Sequence, residues 1–428
     1  MSDIYCAICC GPLVEVSIAS KPRSEAFKTA HQCGDDSGTD DSGTDEDIRG
    51  EERSYDCEII TREEAAWTTT MMLLGFNPKA LTVPYSTITI ADARFSVAFL
   101  APFGTYESDS AVAVEDSPDG SFTLHDVGNE TNYFECYDVY GDDCPNKEPA
   151  FPFHPPCYWI LQRRLSDRFG GDLSTDGLAT MDKDVLYKVM RSLTMVCYLD
   201  IDYGDLDSDL VCLDYWHSNA GEEVYAANPG LVEGLEERIQ KMMATGYFRL
   251  HKRAELDLNH GVRKDPFRGL PFDILVIISE QLEDPECLMN WARASWSIHT
   301  LVRSAQDSFW KRTIRMQMRW FFELHKCLEN DALCRGSSMR AVFLWAAGGS
   351  ELRFGMKGGD FLRLANRRRI WTSPCKDLTD QYYQMLPHHF LGEGGGDYDY
   401  NKDYSSEEEE GESNKNNEDA GGENGDEN

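Results

Sequence analysis

Residues 270–312 read LPFDILVIISEQLEDPECLMNWARASWSIHTLVRSAQDSFWKR, and they carry the clearest helical pattern in the chain. After Pro271, apolar residues recur at helical spacing and give the first predicted helix a wide apolar face. Pro285 ends that helix and stands in the first turn of a second helix, a position that suits proline. A third helix is predicted around Leu301. Because three short helices bury little surface by themselves, we expect part of the apolar face to meet a partner.

The order and spacing of these residues resemble the F-box, a module that begins with Leu-Pro, an acid and Ile-Leu and closes with an aromatic residue. The matching positions are Leu270, Pro271, Asp273, Ile274, Leu275, Ile278, Leu282, Leu288, Ser295, Leu301 and Trp310. Two positions depart from the family's pattern, since Trp291 is bulky and His299 stands where many members have a large apolar residue.

The resemblance implies a substrate receptor of an SCF-type ubiquitin ligase, a ligase of the cullin–RING class. Such a receptor docks on a Skp-type adaptor, and through it on a cullin, while its flanking domains hold a protein target that the sequence does not identify. It contributes proximity and orientation, so we expect no enzymatic activity and no catalytic residue. The residues expected to contact the adaptor are Leu270, Pro271, Ile274, Leu275, Ile278, Leu282, Leu288, Ser295 and Trp310.

Other segments resemble a group of filamentous-fungal F-box proteins. These segments are Cys6-Ala7-Ile8-Cys9 with Gly11-Pro12 after it, Phe151-Pro152-Phe153-His154, and the run from Leu364 to Trp371. This second resemblance spans most of the chain, but its motifs are less specific than those of the F-box.

Two pairs of metal-ligand residues predict a zinc site. Cys6 and Cys9 form a Cys-x2-Cys pair, and much later in the chain His154 and Cys157 form a His-x2-Cys pair. Three thiolates and one imidazole suit tetrahedral zinc. The pattern therefore predicts one structural zinc ion that closes the N-terminal domain on itself.

Other interpretations of these residues stay open. Cys10 is a competing ligand, Cys136 with Cys144 is an alternative second pair, and buried reduced cysteines need no metal at all. Two other classes of function also remain. One is an F-box-like interaction scaffold that recruits no ligase, and the other is an enzyme that uses His154 or Cys157 as a catalytic residue.

The charge of the chain is uneven. The chain contains 41 Lys and Arg against 75 Asp and Glu, a net charge of −34. Residues 35–58 hold 11 acids and 2 bases, and residues 393–428 hold 14 acids and 2 bases. Such runs cannot bury apolar surface, so we predict a disordered acidic loop at 35–56 and a disordered acidic tail at 392–428. A field of this sign repels phosphate backbones, so we expect no nucleic-acid partner.

Four arginines stand close together at Arg363, Arg367, Arg368 and Arg369. A cluster of this kind could bind an acidic partner, a nucleic acid or an import receptor, or it could pair with acids of its own fold. We favour the last interpretation.

No apolar run approaches the roughly 18 residues of a membrane span, and no signal peptide is recognisable. We therefore expect a soluble protein of the cytoplasm or the nucleus, with no membrane partner.

The fold class predicted from these features is α+β. We predict a mixed N-terminal domain at 1–34 and 57–260, the F-box at 266–312 and a helical C-terminal region at 313–391. In the N-terminal domain, a capping box from Thr61 to Glu64 predicts a helix with Trp67, Met71 and Leu74 on one face. Helical patterns also cover 181–200 and 231–258, the latter broken near Gly246, and alternating residues predict strands at Ile88/Ile90 and Phe95/Val97/Phe99.

Overall fold

A computed structural model describes residues 5–22, 54–76, 98–101, 104–108, 111–114, 133–135, 150–167, 181–195, 198–199, 201, 218, 220–249, 264–282 and 284–390. The predicted acidic tail, the predicted strand at Ile88/Ile90 and most of the predicted acidic loop lie outside these residues. Tyr55, which the prediction assigns to the loop, is buried, and its N–H donates to the Ser17 carbonyl at 2.9 Å.

The described chain is mostly helical and contains small antiparallel sheets, which is compatible with the α+β class. The helices are α1 (Arg62–Ala65), α2 (Pro155–Asp167), α3 (Lys183–Ser192), α4 (Leu235–Ala244), α5 (Phe272–Glu280), α6 (Pro285–Ala294), α7 (Trp296–Ser304), α8 (Asp307–Gln317), α9 (Phe322–Glu329), α10 (Asp331–Cys334), α11 (Met339–Gly349), α12 (Asp360–Thr372) and α13 (Pro374–Phe390). The strands are β1 (Met72–Phe76), β2 (Ala98–Ala101), β3 (Gly104–Ser108), β4 (Ala111–Val114), β5 (Tyr133–Glu135), β6 (Phe151–Phe153), β7 (Thr194–Met195) and β8 (Tyr198–Leu199). They form two three-stranded sheets, ordered β2-β1-β6 and β3-β4-β5, and a β7-β8 pair. Among the described helices, none is long and apolar enough to cross a membrane.

The first helix ends where strand pairing takes over. Thr61 and Glu64 form the predicted capping box, with the Glu64 N–H donating to the Thr61 hydroxyl at 3.2 Å and the Thr61 N–H donating to Glu64 at 2.9 Å. The prediction of one helix through Leu74 is wrong, because α1 is a single turn and Leu74 lies in β1. Leu74 pairs with Leu100 of β2 and with Phe151 of β6. Pairing on both sides therefore outweighs the helical spacing of the apolar residues.

In two further segments with helical patterns, the described helix ends before the pattern does, and residues 250–258 of the second segment lie outside the described residues. Within 181–200, α3 ends at Ser192 and the β7-β8 pair follows it. Within 231–258, α4 ends at Ala244, and Gly246 adopts a left-handed φ of 75°. Glycine tolerates this conformation after a helix, so the predicted break at Gly246 is confirmed.

The predicted succession of short helices is present from residue 270 onward. Pro271 precedes α5, and Asp284 caps α6 with Pro285 at its first position. Ser295 caps α7, where its hydroxyl accepts the Ile298 N–H at 3.2 Å. Local capping and helical periodicity therefore account for this part of the fold.

One cluster of buried apolar residues connects distant parts of the described chain. It includes Ile8 near the N-terminus, Leu161 of α2, Leu288 of α6 and Trp310 of α8. The ring of Trp310 packs against Phe343 of α11 with ring centroids 5.0 Å apart. The helices of the 270–312 segment are thus packed on the rest of the chain, while the domain boundaries stay predictions.

The four clustered arginines lie on α12 and bind groups of the same chain. Arg367 is fully buried, pairs with Glu323 of α9 at 2.7 Å, and donates to the carbonyl oxygens of Pro229 and Gly230. Burial raises the pKa of Glu323, but Arg367 beside it lowers that pKa below its ordinary value. The carboxylate therefore stays ionised within the core.

The next two arginines of α12 bind different parts of the chain. Arg368 pairs with Asp284 at 2.7 Å and with Glu286 at 2.8 Å, both at the start of α6. Arg369 donates to the Cys9 carbonyl at 3.2 Å. These contacts agree with the interpretation that the cluster pairs with its own fold.

Removal of the Arg367 charge is expected to destabilise the fold strongly. Arg367→Met leaves the Glu323 carboxylate buried without its partner and should lower the free energy of unfolding by about 3–5 kcal/mol. The matched control is Arg353→Met, because Arg353 pairs with Glu351 at the surface, where such a pair contributes about 0–1 kcal/mol. Denaturant unfolding measures both values, and equal losses in the two variants would contradict the prediction.

Candidate metal centre and docking surface

The first half of the candidate metal centre is a tight turn at the N-terminus. Tyr5 and Pro12 form an antiparallel bridge, and inside it the Cys10 N–H donates to the Cys6 carbonyl at 2.9 Å. Cys10 adopts a left-handed φ of 59°, which is uncommon for a residue other than glycine. The turn brings Cys6 and Cys9 side by side, and the Cys9 N–H donates to Cys6 Sγ at 3.5 Å.

The second half comes from the junction of β6 and α2. His154 precedes Pro155, the first residue of α2, and the Cys157 N–H donates to the His154 carbonyl at 3.0 Å. One turn of chain therefore places the side chains of His154 and Cys157 on the same face. The Ala7 N–H donates to the Pro152 carbonyl at 2.8 Å and joins the two halves.

The four predicted ligands come together in the structure. Cys6, Cys9, His154 and Cys157 are buried, and their ligand atoms all lie within 4.8 Å of one another. Nδ1 of His154 is 3.4 Å from Cys9 Sγ and 3.9 Å from Cys157 Sγ. Ligand atoms around a tetrahedral zinc ion lie about 3.5–4 Å apart, because the bonds to zinc are about 2.0–2.3 Å long. The cluster could therefore hold one metal ion.

Groups around the cluster orient the imidazole and the thiolates. His154 Nε2 lies 3.1 Å from the Pro12 carbonyl and 3.2 Å from the Thr68 carbonyl. Both partners are acceptors, so Nε2 carries a proton and Nδ1 is the nitrogen that faces the sulfur atoms, as in metal-binding histidines. The Gly11 N–H donates to Cys9 Sγ at 3.3 Å, and the His154 N–H donates to Cys6 Sγ at 3.4 Å.

Gly11 leaves the space that the cluster needs. A Cβ at this position would lie 3.3 Å from Cys9 Sγ and 3.6 Å from His154 Cε1. On the other side of the imidazole, the ring of Trp67 lies 4.5 Å from it, centroid to centroid, and the Trp67 indole N–H donates to the Ala226 carbonyl at 2.8 Å. The four ligand side chains, the hydrogen bonds that orient them and the room beside them all fit a metal ion.

The electrostatics of the cluster favour a thiolate at Cys9. Burial raises the pKa of Cys9, but hydrogen bonds with Cys157 and Cys6 and the charge of His154 bring it well below its ordinary value. Burial lowers the pKa of His154, but Cys6 and Cys9 raise it to about 10. Burial, together with hydrogen bonds with Cys6 and Cys9, raises the pKa of Cys157 well above its ordinary value. Without a metal, the Cys9 thiolate and a protonated His154 therefore stabilise each other away from solvent, and a bound metal ion would take the place of the proton on Nδ1.

The structure also bears on the alternative ligands. Cys10 is buried but lies outside the four-residue cluster, and Cys136 and Cys144 lie outside the described residues. For the enzyme interpretation, His154 and Cys157 are both fully buried. Four protein ligands around one ion would leave no position for a substrate.

The structure divides the nine predicted adaptor residues into three groups. Leu270, Pro271 and Ile274 are exposed, Ile278 and Leu282 are half-buried, and Leu275, Leu288, Ser295 and Trp310 are buried. The buried members lie in the core and support the segment from inside. They do not face solvent in this structure.

Two exposed apolar residues of α5 are missing from that prediction. Phe272 is 56% exposed and Ile277 is 53% exposed. Together with Leu270 and Ile274 they make up a group of exposed apolar residues that we call the α5 surface. The sequence does indicate exposed apolar residues here, because α5 has more apolar residues than a single inward-facing stripe requires.

Comparisons of the chain with protein-family models, with curated proteins and with solved structures found no match. The function has to be inferred from the metal centre and the α5 surface.

Proposed function

We propose that this chain is an F-box protein that acts as the substrate-recognition subunit of an SCF-type ubiquitin ligase. Residues 270–312 dock on the Skp-type adaptor, which connects the chain to a cullin, and the rest of the chain presents a protein target. The chain is not the enzyme of the complex and works in the cytoplasm or the nucleus. The observation that carries the proposal is the α5 surface.

Exposed apolar groups are concentrated at the α5 surface. In the described residues nine large apolar side chains are exposed, and four of them lie between residues 270 and 277. Ile274 is 41% exposed and Leu270 is 39% exposed. Scattered exposed apolar residues are common, but their concentration in one short segment favours an interaction site.

The side of α5 that faces away from Ile274 and Ile277 is anchored to the helices that follow. Leu275 and Ser279 are buried, and the Gln317 side-chain amide donates to the Ser279 carbonyl at 3.2 Å. Arg312 pairs with Glu280 at 2.9 Å. Because α8 holds one side of α5, the helix loses little conformational entropy when a partner binds its other side, and this favours binding.

The proposed layout follows the predicted domains. A mixed domain at 1–34 and 57–260 precedes the F-box at 266–312, and a helical region at 313–391 follows it. A structural zinc ion, held by Cys6, Cys9, His154 and Cys157, closes the first domain. Zinc is the metal that the three thiolates and one imidazole suit best.

Affinity capture tests the function. The tagged chain should bring down the adaptor and the cullin together, and purified adaptor should bind the purified chain directly. If partners are captured without adaptor or cullin, the alternative of an F-box-like scaffold without ligase recruitment replaces the proposal.

The acidic runs are expected to be dispensable for adaptor binding. Their field is confined to about 8 Å at physiological salt, and the α5 surface binds through apolar contacts. Deletion of 35–52 and 393–428, which spares the buried Tyr55, should change adaptor affinity by less than about threefold, or roughly 0.6 kcal/mol. Titrations at two salt concentrations measure the effect. A tenfold loss, or strong salt dependence in the wild type, would place the acidic runs in the docking surface.

A further inference from the structure

Asp265 lies shortly before Leu270, outside the residues that match the F-box pattern. Its half-buried carboxylate accepts four hydrogen bonds. Oδ1 accepts the Phe267 N–H at 2.9 Å and the Ser295 hydroxyl at 3.0 Å. Oδ2 accepts the Ser297 N–H at 2.8 Å and the Ser297 hydroxyl at 2.9 Å. One side chain therefore joins the segment before α5 to the first turn of α7.

The position of Asp265 has a physical reason. The first turn of a helix has N–H groups without helical acceptors, and a carboxylate is favoured at that end of the helix dipole. In α7 the Ser295 hydroxyl accepts the Ile298 N–H, and Asp265 accepts the Ser297 N–H. Burial raises the pKa of Asp265, but the hydrogen bonds from Ser297 and Phe267 hold it below its ordinary value. Asp265 therefore remains a charged acceptor.

The chain between Asp265 and α5 is held at few points. The Phe267 ring packs edge-on against Trp291 with centroids 5.1 Å apart, and the Leu270 N–H donates to the Phe267 carbonyl at 3.0 Å. A Cβ at Gly269 would meet no atom within 4 Å, so this part of the turn stands away from the surface. The location of Leu270 therefore depends on the anchors at Asp265 and Phe267.

We propose that Asp265 is a positioning residue for adaptor docking, which holds Leu270 and Pro271 in the arrangement that the adaptor binds. The inference rests on the proposed function. It gives Ser295, which the F-box resemblance assigns to the adaptor contact, a place inside the fold as a partner of Asp265. A segment that is ordered before binding loses less conformational entropy when it docks, so Asp265 raises the affinity without touching the adaptor.

A double-mutant cycle with purified adaptor tests this. Asp265→Ala is expected to weaken adaptor binding about tenfold, because charge-assisted hydrogen bonds are the strong ones. Ser297→Ala removes only a hydroxyl and should weaken binding less. The double variant should bind no more weakly than Asp265→Ala alone, because both changes remove the same contact. Asp331→Asn is the matched control, since Asp331 pairs with Lys311 at the surface of α10, and it should bind like the wild type.

Hydrogen exchange in the free chain separates positioning from general destabilisation. In Asp265→Ala the amides of residues 267–270 and 272 should exchange faster, while those of α11 keep their protection. If Asp265→Ala does not fold, Ser297→Ala carries the same test with a smaller expected change.

The outcomes distinguish this inference from the proposed function. A wild-type chain that does not bind the adaptor overturns both. A wild-type chain that binds, together with Asp265→Ala and Ser297→Ala variants of unchanged affinity, overturns the positioning role alone. Uniformly faster exchange throughout the chain would also overturn it, because Asp265 would then stabilise the fold in general.

Discussion

A chain carrying Cys6→Ser and Cys9→Ser is expected to bind no zinc, whereas the wild-type chain should bind one zinc ion per molecule. Structural zinc contributes about 10–16 kcal/mol of apparent binding free energy in isolated zinc-finger peptides. That is comparable to the whole net stability of a typical protein, about 5–15 kcal/mol. The variant should therefore lose the ordered N-terminal turn and unfold at a much lower temperature. Elemental analysis and thermal unfolding, each with and without a chelator, measure the two effects.

Cys10→Ser is the matched control for this experiment. It makes the same chemical change in the same turn, but Cys10 lies outside the cluster of four ligands. It should keep one zinc ion per chain. Loss of zinc from Cys10→Ser, or a wild-type chain that is fully folded without metal, would refute the assigned ligand set.

The second large effect is expected at the α5 surface. Leu270→Asp with Ile274→Asp should weaken adaptor binding by at least about a hundredfold, because apolar anchors of an interface contribute about 1–4 kcal/mol each. Both side chains are exposed, so the variant should keep its fold, and circular dichroism checks this. Titration with purified adaptor measures the affinity.

Leu231→Asp is the control for the α5 surface. Leu231 is 48% exposed but precedes α4, so the same change there should leave adaptor affinity within about twofold, or roughly 0.4 kcal/mol. If the folded double variant binds the adaptor as well as the wild type, the F-box assignment of residues 270–312 is wrong.

The local features of the fold were predictable from the sequence, because the groups that cause them are neighbours in the chain. The capping box of Thr61 and Glu64 and the proline at the first position of α6 are examples. Both rest on hydrogen bonds or dihedral limits within one helical turn. The helix predicted through Leu74 was wrong because Leu74 pairs with Phe151, which lies far along the chain.

The metal centre combines both kinds of information. The spacing of Cys6 with Cys9, and of His154 with Cys157, makes each pair a local unit that the sequence indicates. The meeting of the two pairs depends on contacts such as the Ala7–Pro152 hydrogen bond. The spacing predicted the four ligands, with Cys9 ahead of Cys10, and Cys10 does lie outside the cluster. The contacts that hold the two pairs together could not be predicted from the spacing.

By itself, the sequence determined the series of short helices after residue 270, the two ligand pairs and the concentration of acidic residues outside the described fold. Only the tertiary structure decided which apolar residues of α5 face outward, because Leu275 packs on the core while Ile274 does not. It also decided that Arg367 is buried, because Glu323 comes from α9, far away in the chain. Helical periodicity and charge are properties of a segment, whereas burial and ion pairing depend on which distant segments pack against it.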